Sequence, residues 1–504
     1  MKKIVLINPR TFPTNFHPPN VNNIPLELIT IASYIPSDYN IKIIDLSLIN
    51  NVQAMKKKIK KELDESVICV GFTVMTDSLS PSVKFSKFIK KHSKAPIVWG
   101  GIHPTLMPKE TLEEDYVDMV VIGDGEITFP ELLYGISKKS KLSSIKGIGF
   151  KQNKKIIINE RRPFFDLNKS KIPRYDLINL NNYQKKNTNW IIIQFSRGCP
   201  HNCSFCFNKA YNRDKFRIVN HKNAIKHIDY AYNKLKIRNI MIADDHLFVD
   251  IDNTTKIFEE ILKRKYKINI WKVSLRIDIG LKLKDYHYRL MEKIGIRILR
   301  FGAESGSDKT LRSINKKISV AEIRRLNLRL KKYNLRVTYS FVIGFPNESK
   351  KERKKTINFV FKLIEENPNS TIIQIFALKL DPMSDIYIEL KKKGYKVPVK
   401  IDDWIKVNYH NFINSKNKNH KGSIKIEDWM KVGYHKYWLS KKEINDMMAI
   451  YTYSTNYNLL PGKEKYIKRL LVKIFYIIVK FRIQNLYFKN RFDLKIKNYL
   501  WGKL

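Results

Sequence analysis

Residues 190–208 read "WIIIQFSRGCPHNCSFCFN". The stretch opens as a short apolar β-strand, Trp190 to Ser196, and turns at Arg197–Gly198. Three of the chain's four cysteines then fall within eight positions: Cys199, Cys203 and Cys206. A thiol-rich loop directly after a strand sits where α/β folds place their chemistry, at a strand carboxyl end. A CxxxCxxC loop holds three thiolates close enough for one iron–sulfur cube. Three ligands leave one of the irons open, the mark of a metal that binds a substrate. A structural zinc site wants a fourth ligand. His201 is poorly spaced for that role, and Cys69 lies in a separate apolar strand, where a thiol packs as a small hydrophobe.

Working outward, residues 189–390 alternate strand and helix. The strand candidates are "WIIIQFS", "NIMIAD", "WKVSLRI", "ILRFGAE", "VTYSFVIGF" and "IIQIFAL". Helical periodicity covers 221–235, 253–265, 283–293, 319–333 and 349–366. Six such repeats predict a partial (β/α)6 barrel. Residues 1–140 alternate in the same way, with "KIVLIN", "IKIIDL", "VICVGFT", "PIVWGG" and "DMVVIG" as buried parallel strands. They predict a doubly wound, Rossmann-like sheet, with helices at 26–35, 53–64 and 80–91. Glycine-bearing loops follow its strands, and tight strand–helix turns would use the same residues without any ligand. Residues 141–188 read as a connector that includes a hairpin turning at "QNKK". Residues 391–504 lose the rhythm, gather tryptophans and tyrosines, and predict a mainly helical cap that meets substrate. Within it, 463–492 is basic and apolar together. It suits a membrane-surface helix, or a terminal helix packed on the protein.

The composition bounds the class. Hydrophobic residues make up 43 %, which suits a folded chain. Few cysteines, mostly clustered, fit a reducing cytoplasm and argue against a disulfide scaffold. No run of about 18 apolar residues predicts a transmembrane span. The net charge of +48 attracts polyanions, but the lysines are spread evenly, as a Lys-, Asn- and Ile-rich coding bias would give. A basic nucleic-acid-binding protein with a structural metal is the non-enzyme alternative.

"CPHNCSFC", with Phe205 before its last cysteine, resembles the radical S-adenosylmethionine (SAM) signature. "FGAESGS" (301–307) resembles the fourth-strand motif whose glutamate, here Glu304, binds the SAM ribose. "VIGFPNES" (342–349) resembles the fifth-strand motif backing the adenine, with Gly344, Phe345 and Pro346. "ADDHLF" (243–248) resembles a second-strand element that places Asp244 and Asp245 near the SAM amino group, and Arg276 in "SLRID" matches a third-strand arginine. "LDPMSDIY" replaces the Gly-Thr of a sixth-strand motif.

The first 140 residues resemble a cobalamin (B12)-binding domain through "IPLELITIASYI", "GFTVMTDS", "VWGGIHPTLMP" and "VVIGDGEITFPEL". The connector follows suit with "IKGIGF" and "IPRYDL". Thr73, Ser78, Gly100, Gly101, Gly123 and Glu126 are the positions carried over as cobalamin contacts. No DxHxxG is present, so the sequence offers no lower cobalt ligand. The chain as a whole resembles the B12-binding-domain radical SAM enzymes of class B methyltransferase type.

The resemblance implies a 4Fe–4S cluster, SAM and cobalamin as cofactors, and an electron donor of flavodoxin or ferredoxin type. It implies methylation of an unactivated carbon through a 5′-deoxyadenosyl radical and methylcobalamin. Cyclisation, rearrangement or carbon–carbon coupling without methyl transfer is the alternative outcome. No acid–base dyad is called for, and no catalytic side chain is assigned. The basic aromatic end of the chain points to a lipid or isoprenoid substrate and to peripheral membrane contact from the cytoplasm. The related tRNA methylthiolation enzymes place three more cysteines in their first domain, where this chain has only Cys69.

Overall fold

Alternating Val/Ile runs near the amino terminus form the parallel strands β1 (Lys3–Asn8), β2 (Asn40–Asp45), β3 (Val67–Thr73), β4 (Ile97–Gly100) and β5 (Met119–Val121), in the order β2-β1-β3-β4-β5. Every residue of β1 is buried, because helices cover both faces of the sheet. Leu26–Ala32 and Gly125–Lys138 pack on one face, Val52–Glu62 and Leu79–Lys90 on the other. The computed structural model describes residues 1–9, 24–49, 51–183 and 190–407.

The expected hairpin is present as β6 (Ile148–Gln152) and β7 (Lys155–Ile158). Asn153 and Lys154 both take positive φ, 49° and 64°, as a two-residue hairpin turn of matching twist requires. The hairpin is not a free connector: β6 pairs antiparallel with β5 and extends the first sheet by two strands.

After it come β8 (Trp190–Ile193), the short antiparallel pair β9 (Ser196–Arg197) and β10 (Arg217–Ile218), then β11 (Asn239–Ile242), β12 (Asn269–Leu275), β13 (Ile296–Glu304), β14 (Arg336–Ile343) and β15 (Ser370–Ala377). Strands β8 and β11–β15 make one parallel sheet in sequence order, with β8 and β15 at its two edges. Helices His221–Asp229, Ile251–Lys263, Asp285–Lys293, Val320–Leu330 and Lys350–Glu366 connect the strands. Two of these helices start on reciprocal Ser–Glu caps, Ser319 with Glu322 and Ser349 with Glu352, which satisfy amide donors the helix leaves open.

The chain then returns to the first domain. Leu380, Tyr387, Ile401 and Trp404 share a core with Val5, Phe72 and Phe85. Trp404, expected among the cap aromatics, stacks on Tyr387 at 5.6 Å and meets the edge of the His103 ring at 6.1 Å. Val397, Ile401 and Trp404 therefore pack on the amino-terminal domain. The basic 463–492 stretch and the other cap aromatics lie outside the described residues. Among the described residues no helix is long and apolar enough to cross a membrane.

Candidate active site

The carboxyl ends of the two sheets face one cavity of ≈490 Å³. From the first sheet its wall includes Thr73, Gly100, Gly101, Gly123 and Glu126. From the second it includes Gln194, Gly198, Asp245 and Lys272. Five of the six positions expected to contact cobalamin thus share this wall. Ser78 does not line it: its hydroxyl accepts from the Met75 amide (2.9 Å) and donates to the Met75 carbonyl (3.0 Å), holding the loop after β3.

Two glycines on the wall have distinct reasons. Gly101 takes φ 101°, and a Cβ there would lie 2.9 Å from the Val74 carbonyl oxygen and 3.0 Å from its amide nitrogen. Gly123 takes φ 86° with open space around it, room that a flat macrocycle edge or a nucleotide tail can occupy.

The cysteine loop runs from β9 back to β10. At Gly198 (φ 89°) a Cβ would overlap the Lys215 carbonyl, so only glycine lets the loop turn there. The loop is pinned from several strand ends. Asp244 accepts from the Phe195 amide (2.9 Å) and the Ser196 hydroxyl (2.6 Å). Asn208 donates to Asp245 (2.9 Å). The Ser204 amide donates to the Ile314 carbonyl (3.0 Å). Arg276 lies 3.5 Å from Cys203 Sγ and also donates to the Lys316 carbonyl (2.6 Å) and to Asp278 (2.9 Å). The paired aspartates have therefore separated in role: Asp245 faces the cavity, whereas Asp244 is buried under the loop it holds. Burial pushes the Asp244 carboxyl up to about 7.

Burial also pushes the Cys199 and Cys206 thiols up, so in the metal-free protein they hold their protons. Metal binding would have to displace those protons, and the ion's charge is what makes buried thiolates tenable. Among the described residues no three His, Cys, Asp or Glu side chains converge on a single-ion site. Three thiols on one loop, each able to meet a different iron, fit a multi-iron cluster better than a lone zinc.

Glu304 ends β13 with φ 61°, a strained conformation for a residue with a side chain, of the kind that clusters at functional sites. Gly302 leaves the space into which its carboxylate folds. There it accepts from Lys316 Nζ at 2.7 Å, both groups being buried. Lys316, in a loop that carried no sequence signal, is thus part of the site. Nearby, Gly344 (φ 86°) donates its amide to Glu348 at 2.6 Å, and burial lifts that carboxyl to about 7. Phe345 packs against Phe205 of the cysteine loop, centroids 5.7 Å apart, with Pro346 half-buried beside it. Cys203, Cys206, Phe205, Glu304 and the Gly344–Pro346 turn thus meet at one end of the barrel.

A clamp between the domains went unanticipated. Arg197 reaches Asp124 (3.1 Å) and Glu126 (2.6 Å) across the cavity mouth, and Arg217 also bonds Asp124 (2.6 Å). Burial opposes charge on Asp124, yet Arg197 and Arg217 hold its carboxyl below the usual range. Glu126, expected as a ligand contact, spends one oxygen on Arg197, and its other oxygen is buried without a partner.

Residues 193–360 match the radical SAM superfamily model, and residues 22–133 match the B12 binding domain model. An uncharacterized methyltransferase of Pyrococcus horikoshii is 29 % identical over 364 residues, covering 72 % of this chain and 78 % of that protein. The hopanoid C-3 methylase of Methylococcus capsulatus is 25 % identical over 235 residues, covering 44 % of this chain and 42 % of that enzyme. The fold is also that of the radical S-adenosylmethionine methyltransferase TsrM of Kitasatospora setae, solved with cobalamin and a 4Fe–4S cluster bound. The TM-score is 0.63 at 16 % identity, with 78 % of this chain and 75 % of that one covered.

Proposed function

We propose, from the premise that the chain belongs to the cobalamin-dependent radical SAM enzymes, that it methylates an unactivated carbon of a lipid or isoprenoid in the cavity between its two sheets. When bound, the iron–sulfur cluster, SAM and cobalamin supply the radical and the methyl group, chemistry that side chains cannot perform. Every step left to the protein is then one of holding and shielding.

In this reading Cys199, Cys203 and Cys206 hold the cluster, and Arg276 beside Cys203 offsets its negative charge. Glu304 takes the SAM ribose and the Gly344–Pro346 turn backs the adenine. Asp245 is the aspartate placed to meet the SAM amino group, while Asp244 is a positioning residue for the loop. The wall of Gly100, Gly101 and Gly123, open at Gly123, takes cobalamin on the opposite side. The single observation that carries the reading is that Asp245 and the Gly198 turn of the cysteine loop line one cavity with Gly100, Gly101 and Gly123 of the first sheet. The apolar wall, including Leu26, Leu28, Phe129 and Met241, favours an apolar substrate. The likeness to a hopanoid methylase and the basic 463–492 stretch support the same class. An outside electron donor and contact with a membrane surface complete the proposal.

Anaerobic reconstitution with iron, sulfide and hydroxocobalamin tests it. The expected result is about four iron and one cobalt per chain, with S-adenosylhomocysteine and 5′-deoxyadenosine formed together from SAM. One zinc with no cobalt would overturn the reading. 5′-Deoxyadenosine without S-adenosylhomocysteine would favour radical chemistry without methyl transfer.

A further inference from the structure

Lys272 sits inside the barrel on β12 and lines the cavity, and none of the cofactor motifs assigns it a role. Its strand neighbour on the same face, Ser274, is in register with Arg300 of β13, so Lys272 and Arg300 share the lumen side of adjacent strands. Arg300 is half-buried and Glu304 is the carboxylate that bears on it. The carboxylate that bears on Lys272 is Asp245, which turns to Asn208 at 2.9 Å. No hydrogen bond or ion pair within contact distance holds Lys272 itself among the described residues. Glu304 is already bonded to Lys316. Lys272 is thus the cavity-lining cation of the barrel that no carboxylate holds at contact distance, while Glu304 serves Lys316 and bears on Arg300. A cation taken from water without a close partner is costly, and the site recovers that cost when an anion arrives.

We infer that Lys272, backed by Arg300, binds an anionic oxygen group, carboxylate or phosphate, on the substrate. The inference rests on the proposed function and narrows its substrate to an apolar body carrying such a group. The lumen position sets the order: the anion goes in first, toward Lys272, and the apolar body remains between the glycine wall and the cysteine loop. The same electrostatics give a pH signature. Burial, and then Arg300, lower the Lys272 ammonium to about 8, while Asp245 acts in the opposite direction. The lysine is therefore charged below about pH 8 and neutral above it, and anion affinity should be lost as pH rises through that value.

The test is calorimetric titration of the cobalamin- and cluster-loaded enzyme with decanoate, decyl phosphate and decanol. At least one of the two anions should bind roughly 10- to 100-fold more tightly than decanol, the worth of a charge-assisted hydrogen bond. Whichever anion binds more tightly identifies the source of the oxygen group. Lys272→Met should erase the preference and leave decanol unchanged, and Lys272→Arg should retain most of it. For the wild type, decanoate affinity should fall through about pH 8 while decanol affinity stays flat. Equal binding of all three probes overturns the inference, as does an unaltered preference in Lys272→Met. A matching loss of SAM affinity in Lys272→Met also overturns it, by assigning the lysine to the cosubstrate. Product formation from SAM is read separately, so failure of the radical chemistry and failure of the anion site give different patterns.

Discussion

Arg197 offers the most decisive perturbation. It stands two residues before Cys199, and its guanidinium spans Asp124 and Glu126 of the first domain. The Asp124 and Glu126 side chains are only 8 % and 2 % exposed, against 22 % for Arg197. Removing one partner of a buried pair costs about 3–5 kcal/mol, because a charge is left stranded. Here Arg217 would still bond Asp124 at 2.6 Å. The stranded group is Glu126, so the cost of Arg197→Met belongs near the low end, about 3 kcal/mol. Global unfolding of a chain with two domains is not two-state, so the loss is best read locally by amide hydrogen exchange. About 3 kcal/mol predicts roughly 100-fold faster exchange in peptides spanning 122–128 and 195–200. Adding Glu126→Gln should return much of that loss, since the second change removes the stranded charge. Exchange within a few-fold of wild type in Arg197→Met would refute the clamp. So would a double variant that exchanges faster than the single one.

Other outcomes follow from the same geometry. Gly101→Ala should destabilise the first domain by about 2–5 kcal/mol, adding steric overlap with Val74 to the backbone strain, whereas Gly123→Ala costs only about 1–2 kcal/mol; denaturant midpoints that fail to separate the two would contradict this. Replacing Cys199, Cys203 or Cys206 with alanine should abolish iron incorporation, while Cys69→Ala should keep full iron and lose about 1 kcal/mol from a well-packed site, as iron assay and thermal melting can show. Asp244 has a folded-state pKa of about 7, above its ordinary value. The folded state therefore holds its proton more tightly, and this contribution to stability is full below about pH 4 and is lost as pH rises through about 7. Asp244→Asn should flatten that part of the metal-free protein's stability–pH curve, and an unchanged slope would count against it.

The strands and helices were legible because their apolar spacing follows from local geometry: "NIMIAD" and "VTYSFVIGF" can hardly be anything but buried strands in such a repeat. The cysteine loop was legible because cluster chemistry dictates spacing along the chain. What was hidden depends on partners far apart in sequence. Nothing near Arg197 announces that its partners are Asp124 and Glu126. Asp244 and Asp245 are adjacent and chemically alike, and only the direction of each side chain separates a loop anchor from a cavity residue. Ser78 stands in a motif yet serves its own turn. The "QNKK" hairpin showed its turn in the sequence, but edge pairing with β5 is a choice among sheets that a local pattern cannot make. Lys316 and Lys272 look like two more lysines in a lysine-rich chain until burial distinguishes them.

The core that unites Val5, Phe72 and Phe85 with Tyr387, Ile401 and Trp404 bears on how the protein is made. A ribosome delivers the amino-terminal sheet and the helices on both its faces by residue 158, yet one of its two cores lacks Tyr387, Ile401 and Trp404 until those residues emerge. At about 5–20 residues per second that interval is on the order of 10–50 s. For that time the apolar side chains that Tyr387, Ile401 and Trp404 will cover stay exposed while the barrel is still being synthesised. The last side chains of the amino-terminal domain's core therefore come only from a chain that has already built the barrel's last strand.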